Sequence, residues 1–485
     1  MAARAAAGRT GGADRSGRRC ADPWRGTGQR AGGLPAAAIG VGRGDSLDGV
    51  SGAPSRPATA WPGARLYHGG HRGHTGAEWR HSGRAAVRSG GLLVRPCHHP
   101  ADSGRAAAVR SPAGLRTKAA LVRIAIDASR TTVARVTGTE RYALEMIRAL
   151  LALDSPHTFT LYFRDTPPDG LFAAHPHVEQ RVIPFHRAWT HVRFAAALMA
   201  DRPDVAWVPA HTLPLLFPGR AAVTVHDLGY RVFPDAHPAL QRRYLDWSTG
   251  TSAKRATVIF ADSQATARDL THFYGTPEAK VRVVYPGVDT PAAGDRAAAR
   301  ARYQLPERYF LFLGTLQPRK NIARLVAAYS RWKAAHPNDP AGLVLAGAQG
   351  WLHDPAWVEG VQGVTLTGYV DDADRGALYA GALALVFPSL YEGFGFPAVE
   401  AMGCGTPVLA SDTSSLPELV GEAGLLVDPL DEAAIAAGMA RLADDKALRA
   451  RLAAEGPIQA ARFTWEAGAR GILAGLEATA GGQAS

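Results

Sequence analysis

Two glutamates separated by seven residues, Glu392 and Glu400, have the type and spacing to hold a polar ligand. The apolar run 382–387 predicts a buried strand, and Glu392 follows it on a Gly-Phe-Gly loop. Pro397 suits the first position of a helix, so we expect Glu400 in the first turn of that helix. A helix N-terminus offers unpaired N–H groups and partial positive charge, which suit phosphate or sugar oxygens. Taken alone, Glu400 could equally be an acid that complements the helix dipole.

Two adjacent cations, Arg319 and Lys320, stand immediately before a second predicted helix that begins at Asn321. They follow residues 309–313, whose apolar run predicts another buried strand. Positive charge at a helix start opposes the helix dipole, so the arrangement is unfavourable unless an anion binds there. The pair therefore indicates a site for a diphosphate.

Two further candidates lie beside predicted strands of the first half of the chain. His226 follows the strand predicted at 222–225, at the carboxyl edge where open α/β sheets bind ligands. Gly138 ends the loop after the strand predicted at 122–127 and begins a helix. Each also has an ordinary structural interpretation. A lone histidine at a strand end is at least as often a core residue, and a loop with one glycine is an ordinary βα turn.

Strands and helices alternate along the chain, which predicts two doubly wound α/β domains. The remaining strands are predicted at 159–163, 178–183, 205–208, 281–284, 343–346, 364–366, 408–410 and 424–428. A helix capped by Ser263 is predicted to run to Tyr274. The last helices are predicted at 431–442, 446–454 and 465–478.

The segment 388–411 resembles the E-x7-E signature of the retaining glycosyltransferases of family 4, which have the GT-B fold. Its flanking residues resemble the mannosyltransferase-like branch, and Pro-Arg-Lys-Asn at 318–321 resembles the donor-phosphate motif of the family. The resemblance covers residues 122 to about 480. It implies two Rossmann-like domains that face one another across a central cleft, with the final helix returning towards the first domain.

The resemblance also implies transfer of a hexose from a nucleotide diphosphate to a hydroxyl of a glycan or lipid-linked acceptor. The two cations and the helix start would stabilise charge on the leaving diphosphate. Family members are thought to react on one face of the sugar, with the leaving phosphate taking the acceptor proton, so no nucleophile is assigned. The branch makes GDP-mannose the first candidate donor. Thr315 departs from the pattern, because many relatives carry an arginine there.

Each candidate residue has a role in this scheme. Glu392 would bind hydroxyls of the donor sugar, and Glu400 would bind the ribose hydroxyls. His226 would bind a hydroxyl of the donor sugar from the opposite domain. The expected catalytic set is His226, Arg319, Lys320 and Glu392, and the expected substrate-binding set is Gly138, Phe394, Gly395 and Glu400.

A D-x-D string at 372–374, preceded by Asp371, is the pattern with which metal-dependent glycosyltransferases bind a divalent cation. It lies at a predicted helix start, where acids satisfy free N–H groups and complement the dipole. Arg319 and Lys320 already match the charge of a diphosphate. We therefore expect helix capping, no metal site and no cofactor.

The net charge of +11 comes from the N-terminal segment. Residues 1–120 carry 19 of the 54 Lys and Arg but 6 of the 43 Asp and Glu, and their Arg/Gly/Ala-rich sequence predicts disorder. The remainder is nearly neutral, which argues against nucleic acid as a partner. We expect residues 1–121 to be dispensable. Val122-Arg-Ile-Ala-Ile-Asp is the sequence with which the fold would begin if the codon of Val122 were a GTG initiation codon. The first domain is predicted at 122–290 and the second at 301–485, joined by a Pro/Ala-rich linker at 291–300.

Three scattered cysteines, Cys20, Cys97 and Cys404, show no pairing or metal spacing and favour a reducing compartment such as the cytoplasm. Two stretches are rich in basic and aromatic residues, one at 184–202 and one around Tyr244 and Trp247. Either could bind peripherally to the inner face of an anionic membrane. Ordinary helices that face the domain core are the favoured interpretation, because their apolar residues also fit a 3.6-residue period.

Three other functions fit parts of the pattern. A glycosidase also uses two carboxylates, but it needs no cation pair for phosphate. An epimerase of the GT-B fold would turn over without an acceptor. A non-catalytic binder would hold the nucleotide sugar without turnover, and the intact carboxylates and cations argue against it.

Overall fold

The computed structural model describes residues 121–133, 137–234, 237–350 and 354–482. Two fully parallel sheets dominate this part of the chain, one of seven strands and one of six. The expectation about the N-terminal tail concerns residues 1–120, which lie outside the described residues. No helix in the described ranges is long and apolar enough to cross a membrane.

The first sheet has the strand order β3-β2-β1-β4-β5-β6-β7. Its strands are β1 Arg123–Asp127, β2 Thr158–Phe163, β3 Val178–Val182, β4 Val205–Val208, β5 Ala221–Val225, β6 Val258–Ala261 and β7 Val281–Val283. The second sheet has the order β10-β9-β8-β11-β12-β13. It consists of β8 Tyr309–Leu313, β9 Gly342–Ala346, β10 Val364–Gly368, β11 Ala384–Phe387, β12 Val408–Ser411 and β13 Leu425–Val427.

Helices cover both faces of each sheet, which is why the central strands are uninterrupted apolar runs. In the first domain they are α1 Gly138–Leu151, a π-helix Thr190–Phe194 that continues into α2 Ala195–Asp201, α3 Gly229–Val232, α4 Ala239–Arg255 and α5 Gln264–Tyr274. Later come α6 Arg296–Tyr303, α7 Ile322–Ala335, α8 Asp372–Gly381, α9 Phe396–Gly403, α10 Leu416–Val420, α11 Glu432–Asp444, α12 Lys446–Ala460 and α13 Trp465–Ala480.

The Rossmann-like architecture of both domains is thus confirmed, and most element bounds agree within two residues. Strand β6 was missed, because the four apolar residues 258–261 come between α4 and α5 without a turn signal. The predicted linker 291–300 ends in helix α6 and is not extended throughout. Ser263 does cap α5, its hydroxyl accepting from the amide of Thr266 at 3.1 Å.

The final helix returns to the first domain, as the sequence predicts. Ala469, Ile472 and Leu476 of α13 are buried in the core of the seven-stranded sheet, against Trp207 and Phe260. At the far end of α13, His157 Nε2 lies 2.8 Å from Glu477 Oε1. The chain therefore crosses between the domains twice.

The interpretation of the basic and aromatic stretches as core-facing helices was wrong in part. Trp189 and Phe194 are buried and stack on each other, as expected of core residues. Tyr244 and Trp247 are each 49% exposed, and Phe185 is 43% exposed. The apolar positions of α4 face outwards because small residues, among them Ser248, Ser252 and Ala253, occupy the face that packs on the domain.

The capping interpretation of the D-x-D string was wrong in part: Asp372 and Asp374 lie in the first turn of α8, where they complement the dipole, but the expected capping hydrogen bond is absent. Asp371 occupies the N-cap of α8, yet its side chain makes no capping hydrogen bond. Asp371 and Asp374 instead accept from Arg302 of α6, at 2.6 and 2.9 Å. The hydroxyl of Tyr303 also donates to Asp374, at 2.8 Å. These carboxylates fasten the linker helix to α8.

Asp374→Asn is therefore expected to lower the free energy of unfolding by about 1 kcal/mol, the scale of one hydrogen bond, and to leave turnover intact. Asp372→Asn is the matched control, because the Asp372 side chain is 82% exposed and its ion pair, with Arg375 at 3.3 Å, lies within α8 and does not reach Arg302. Urea unfolding and turnover of both variants test this. Loss of activity at unchanged stability in Asp374→Asn would contradict the structural role.

Candidate active site

A buried cluster of two cations and one carboxylate joins the ends of neighbouring strands in the second domain. Glu392 Oε2 lies 3.1 Å from Arg319 Nη1, and Glu392 Oε1 accepts a hydrogen bond from Lys320 Nζ. The three side chains are only 20% (Arg319), 10% (Lys320) and 8% (Glu392) exposed. The cluster brings together Arg319 and Lys320, which the sequence analysis assigned to the diphosphate, and Glu392, which it assigned to the sugar.

Strand pairing explains why residues 72 positions apart meet. Strands β8 and β11 are parallel neighbours, with Leu311 opposite Leu385, so the chain leaving each strand emerges at the same edge. A 3-10 turn, Pro318–Lys320, follows β8. Asn321 ends it in the left-handed conformation, with φ +63°, and donates to the carbonyl oxygens of Pro388 and Pro429 at 3.0 and 2.6 Å. These bonds fix the cations beside the loop that carries Glu392.

The charge state of the cluster follows from burial and pairing. Burial would raise the pKa of Glu392, but Lys320 and Arg319 outweigh it and hold the pKa below its usual value. Burial lowers the pKa of the Lys320 ammonium, with Glu392 opposing that shift and Arg319 adding to it. The three ionised side chains sum to one positive charge. Burial would raise the pKa of Asp227 in the first domain, but Arg319 outweighs burial and the pKa is lowered, so this second carboxylate also acts on the cations.

Two serines that the sequence analysis did not identify hold the Glu392 loop. Ser414 Oγ accepts from the amide of Glu392 at 3.0 Å. Ser415 Oγ donates to the carbonyl oxygen of Glu392 at 3.1 Å and also to that of Phe394. Both serines follow β12, the parallel neighbour of β11. Their position after that strand is the signal that could have indicated them.

Gly395 is the N-cap of α9, and its φ of +131° is a conformation that side-chain-bearing residues rarely adopt. No side chain caps this N-terminus, and Pro397 lies in its first turn. Phe394 is buried, with its ring 6.5 Å from that of Tyr285. The main chain at Phe394 and Gly395 thus lies directly before an uncapped helix start, beside Glu392.

Glu400 is fully buried but lies in the second turn of α9, so its expected first-turn position was wrong. Its Oε2 accepts from Arg375 and, at 2.9 Å, from the Tyr379 hydroxyl, both on α8. Its Oε1 lies 3.7 Å from Arg141 Nη1, which comes from the first domain. These three partners were not predicted.

Gly138 is the first residue of α1, one turn before Arg141. Thr137 and Glu140 form a capping box at this helix start. A Cβ at Gly138 would meet no atom within 4 Å, so open space adjoins it. The predicted loop therefore lies at the start of the helix that carries an arginine to Glu400.

His226 is engaged through both ring nitrogens. Its Nδ1 lies 2.7 Å from Asp262 Oδ2 and its Nε2 3.2 Å from the carbonyl oxygen of Pro209. Val225 pairs with Ala261, so His226 and Asp262 follow paired positions of β5 and β6. Burial would lower the pKa of His226, but Asp262 outweighs it and the pKa is raised. Nearby His211 stays neutral, because burial and the charge of His226 lower its pKa to about 3.

The two domains contact each other at the cleft, close to the charged cluster. Tyr391, the residue before Glu392, has its hydroxyl 2.7 Å from Asp269 Oδ2 and accepts from the amide of Leu228 at 3.0 Å. Glu418 of α10 accepts from the amides of Gln264 and Ala265 at the start of α5, at 3.0 and 3.1 Å. The second domain thereby caps a helix of the first.

Comparison with known proteins agrees with this architecture. Residues 136–291 match the family model described as Glycosyltransferase Family 4, and residues 295–459 the model described as Glycosyl transferases group 1. Over 361 residues the chain is 31% identical to O-antigen chain mannosyltransferase B of Escherichia coli, covering 68% of this chain and 93% of that protein.

Solved structures share the fold. Sucrose-phosphate synthase from Thermosynechococcus elongatus has a TM-score of 0.57 at 23% identity, covering 73% of this chain and 98% of that one. HepE from Anabaena, in complex with UDP and glucose, has a TM-score of 0.56 at 17% identity, covering 73% of this chain and 98% of that one. Two facing Rossmann-like domains of this kind define the GT-B fold. The chain belongs to glycosyltransferase family 4.

Gly393→Ala is expected to separate the domains, because a Cβ at Gly393 would lie 2.1 Å from the carbonyl oxygen of His226. The larger radius of gyration would appear in small-angle scattering, together with loss of glycosyl transfer and an intact circular dichroism spectrum. Unchanged scattering and activity would mean that the domains do not need to approach this closely.

Proposed function

We propose that this glycosyltransferase moves a hexose from a nucleotide diphosphate sugar to a hydroxyl of a glycan or lipid-linked acceptor, with retention of configuration. The observation that carries the proposal is the buried cluster of Arg319, Lys320 and Glu392 beside the uncapped start of α9. Two cations in a largely dehydrated site stabilise a leaving diphosphate more strongly than they would in water.

Glu392 would exchange partners when the donor binds. In the structure it accepts from Lys320, which keeps two buried charges paired. A diphosphate would replace Glu392 as the partner of the ammonium, and Oε1 would then be free to accept from sugar hydroxyls. The Gly395 N-cap and α9 amides would take further phosphate or sugar oxygens.

Glu400 suits the ribose in this scheme. Arg375 and Tyr379 hold Oε2, so the carboxylate keeps one orientation, while Oε1 faces the more distant Arg141. A carboxylate held in this way can accept from the two vicinal hydroxyls of a ribose. His226 would donate to a donor sugar hydroxyl from the first domain after releasing the Pro209 carbonyl.

Mannose from GDP-mannose is the proposed donor, on the resemblance to the mannosyltransferase-like branch and the similarity to O-antigen chain mannosyltransferase B. The charge balance supports a reaction without metal. Arg319 and Lys320 face the phosphate position, and Arg302 already engages two of the three adjacent aspartates. Within the described residues, no group of three or more His, Cys, Asp or Glu is arranged to hold a metal ion.

The test is a panel of nucleotide sugars assayed for donor hydrolysis and transfer, with and without EDTA. We expect GDP-mannose to be turned over in EDTA, with the product anomer matching the donor by NMR. Lys320→Ala should lower turnover by roughly 10²–10³, the scale for one preorganised charge-stabilising donor. Binding without turnover, or acceptor-free interconversion of sugars, would favour the binder or the epimerase, and Mg²⁺-dependent rescue after EDTA would contradict metal independence.

Two matched variants separate the carboxylates. Glu400→Gln should weaken binding of free GDP as well as of the sugar nucleotide, because its proposed partner is the ribose. Glu392→Gln should spare GDP and impair the sugar nucleotide, because its proposed partner is the sugar. Isothermal titration with both ligands measures the difference, and equal losses in all four titrations would contradict these roles.

A further inference from the structure

Each ring nitrogen of His226 faces an oxygen atom that accepts hydrogen bonds. Nδ1 lies 2.7 Å from Asp262 Oδ2, and Nε2 lies 3.2 Å from the carbonyl oxygen of Pro209. Because a carbonyl oxygen cannot donate, Nε2 carries a proton. The contact with Asp262 requires a second proton, either on Nδ1 or on the carboxyl group. The pair formed by His226 and Asp262 therefore holds two protons, one more than a neutral imidazole beside a carboxylate.

His211 lies beside this pair and shows which of the two imidazoles carries a charge. The amide of His226 donates to His211 Nε2 at 3.2 Å, so this nitrogen has a free lone pair. The ring centroids are 5.5 Å apart, and burial together with the charge of His226 lowers the pKa of His211 to about 3. Two charged imidazoles at this distance would repel each other. The positive charge therefore belongs to His226, the imidazole that has a carboxylate partner.

The proton between His226 and Asp262 lies on the imidazole. Burial would lower the pKa of His226, but Asp262 is the largest opposing cause, Asp227 contributes less, and the pKa is raised. Burial raises the pKa of Asp262, and His226 opposes that shift. In water the imidazole is the stronger base, with a pKa of 6.5 against 3.8 for the carboxyl group. The pair is therefore an imidazolium and a carboxylate.

Stability alone does not explain the presence of Asp262. Asp262 directly follows β6 and is 4% exposed. Its Oδ2 contacts His226, whereas its Oδ1 is buried and has no hydrogen-bond partner in the part of the chain that the structure describes. A buried polar atom without a partner lowers stability. The contact with His226 is therefore the feature that gives this carboxylate a role.

The other titratable neighbours of His226 do not replace Asp262. The ring of Tyr142 on α1 packs edge-on against the imidazole, with centroids 4.7 Å apart. Burial and the charge of Asp262 raise the pKa of Tyr142, so its phenol stays neutral. Asp227 follows His226 in the chain, and Arg319 outweighs burial and lowers its pKa. The carboxylate of Asp227 thus acts on a cation of the second domain as well as on His226.

We propose that Asp262 is a positioning residue that keeps Nε2 of His226 a charged hydrogen-bond donor for the sugar of the nucleotide donor. The role deepens the proposed function and rests on it. A charged donor forms a hydrogen bond about twice as strong as a neutral one. If the pair lost one proton, the remaining proton would stay on Nδ1 beside the carboxylate, and Nε2 could no longer donate. Asp262 therefore makes donation by His226 depend on pH.

NMR of the free full chain measures the charge of His226 without turnover. The ¹⁵N shifts of labelled histidine rings distinguish an imidazolium from each neutral tautomer, and His226→Gln assigns the signals. We expect His226 to be an imidazolium at neutral pH and to lose its proton at higher pH than the exposed histidines. Asp262→Asn keeps the shape of the side chain but removes its charge, so it should lower the pKa of His226 by roughly one to three units.

The pH dependence of kcat/KM for GDP-mannose measures whether the reaction uses this charge. The imidazolium persists below the raised pKa of His226 and is lost as the pH rises through it, so kcat/KM should decline on the alkaline side. Asp262→Asn should lower kcat/KM roughly tenfold at neutral pH. It should also move the alkaline decline to lower pH by the shift that NMR measures. A purely structural role of Asp262 would lower kcat/KM without moving this decline.

Asp204→Asn is the matched control. Asp204 precedes β4 and so lies at the amino edge of the same sheet, where Oδ2 accepts from the amide of Arg123 at 2.8 Å. This variant should change neither the titration of His226 nor the position of the alkaline decline.

Three results would overturn the proposal: a neutral His226 at neutral pH in the unmodified protein, an unchanged titration in Asp262→Asn, or a shifted titration with an unshifted pH profile. The first of these requires no folded variant. Absence of any sugar transfer by the unmodified protein would contradict the proposed function, and the NMR titration would still decide whether Asp262 sets the charge of His226.

Discussion

The pairing of Glu392 with two largely buried cations is the constraint on which the rest of the site depends. Removing a charge from water costs several kcal/mol unless a partner and further hydrogen bonds compensate for it. The left-handed turn at Asn321 and the two serines after β12 serve this pairing, since each fixes one side of the cluster. The same arrangement places two cations at one edge of the sheet, which is the property a donor phosphate requires.

Contacts between the domains extend this constraint beyond the second domain. Tyr391 anchors the residue before Glu392 to Asp269 and Leu228, so the position of the carboxylate depends on the first domain. Glu400 is likewise reached by Arg141 across the cleft. Of the two carboxylates of the E-x7-E motif, Glu400 therefore has a partner in the opposite domain, and the loop of Glu392 is anchored there through Tyr391. Movement of the domains would change the electrostatics of the donor site together with its shape.

The fold and the main site residues could be predicted because buried parallel strands are long apolar runs, and polar residues after them meet at one sheet edge. The failures have physical reasons as well. Only two residues separate strand β6 from the end of α4, so its apolar run is not separated from the helix in the sequence, and without it Asp262 could not be placed beside His226. Asp371 and Asp374 bind Arg302, which lies just beyond the segment predicted to be a linker, in a helix that was not predicted. Side-chain partners across a domain interface leave no periodic signal in the sequence.

The return of α13 to the first domain has a consequence for the modularity of the enzyme. The two connections run side by side: the amide of Val288 donates to the carbonyl oxygen of Phe463 at 3.0 Å, and Trp465 Nε1 lies 3.1 Å from Asp289 Oδ2. Because the two connections are joined, the domains can move relative to each other mainly by rotation about an axis near these residues. Donor specificity therefore cannot be exchanged by a single cut in the linker. A chimaera would have to keep α13 with its own first domain and graft the segment between the two crossings.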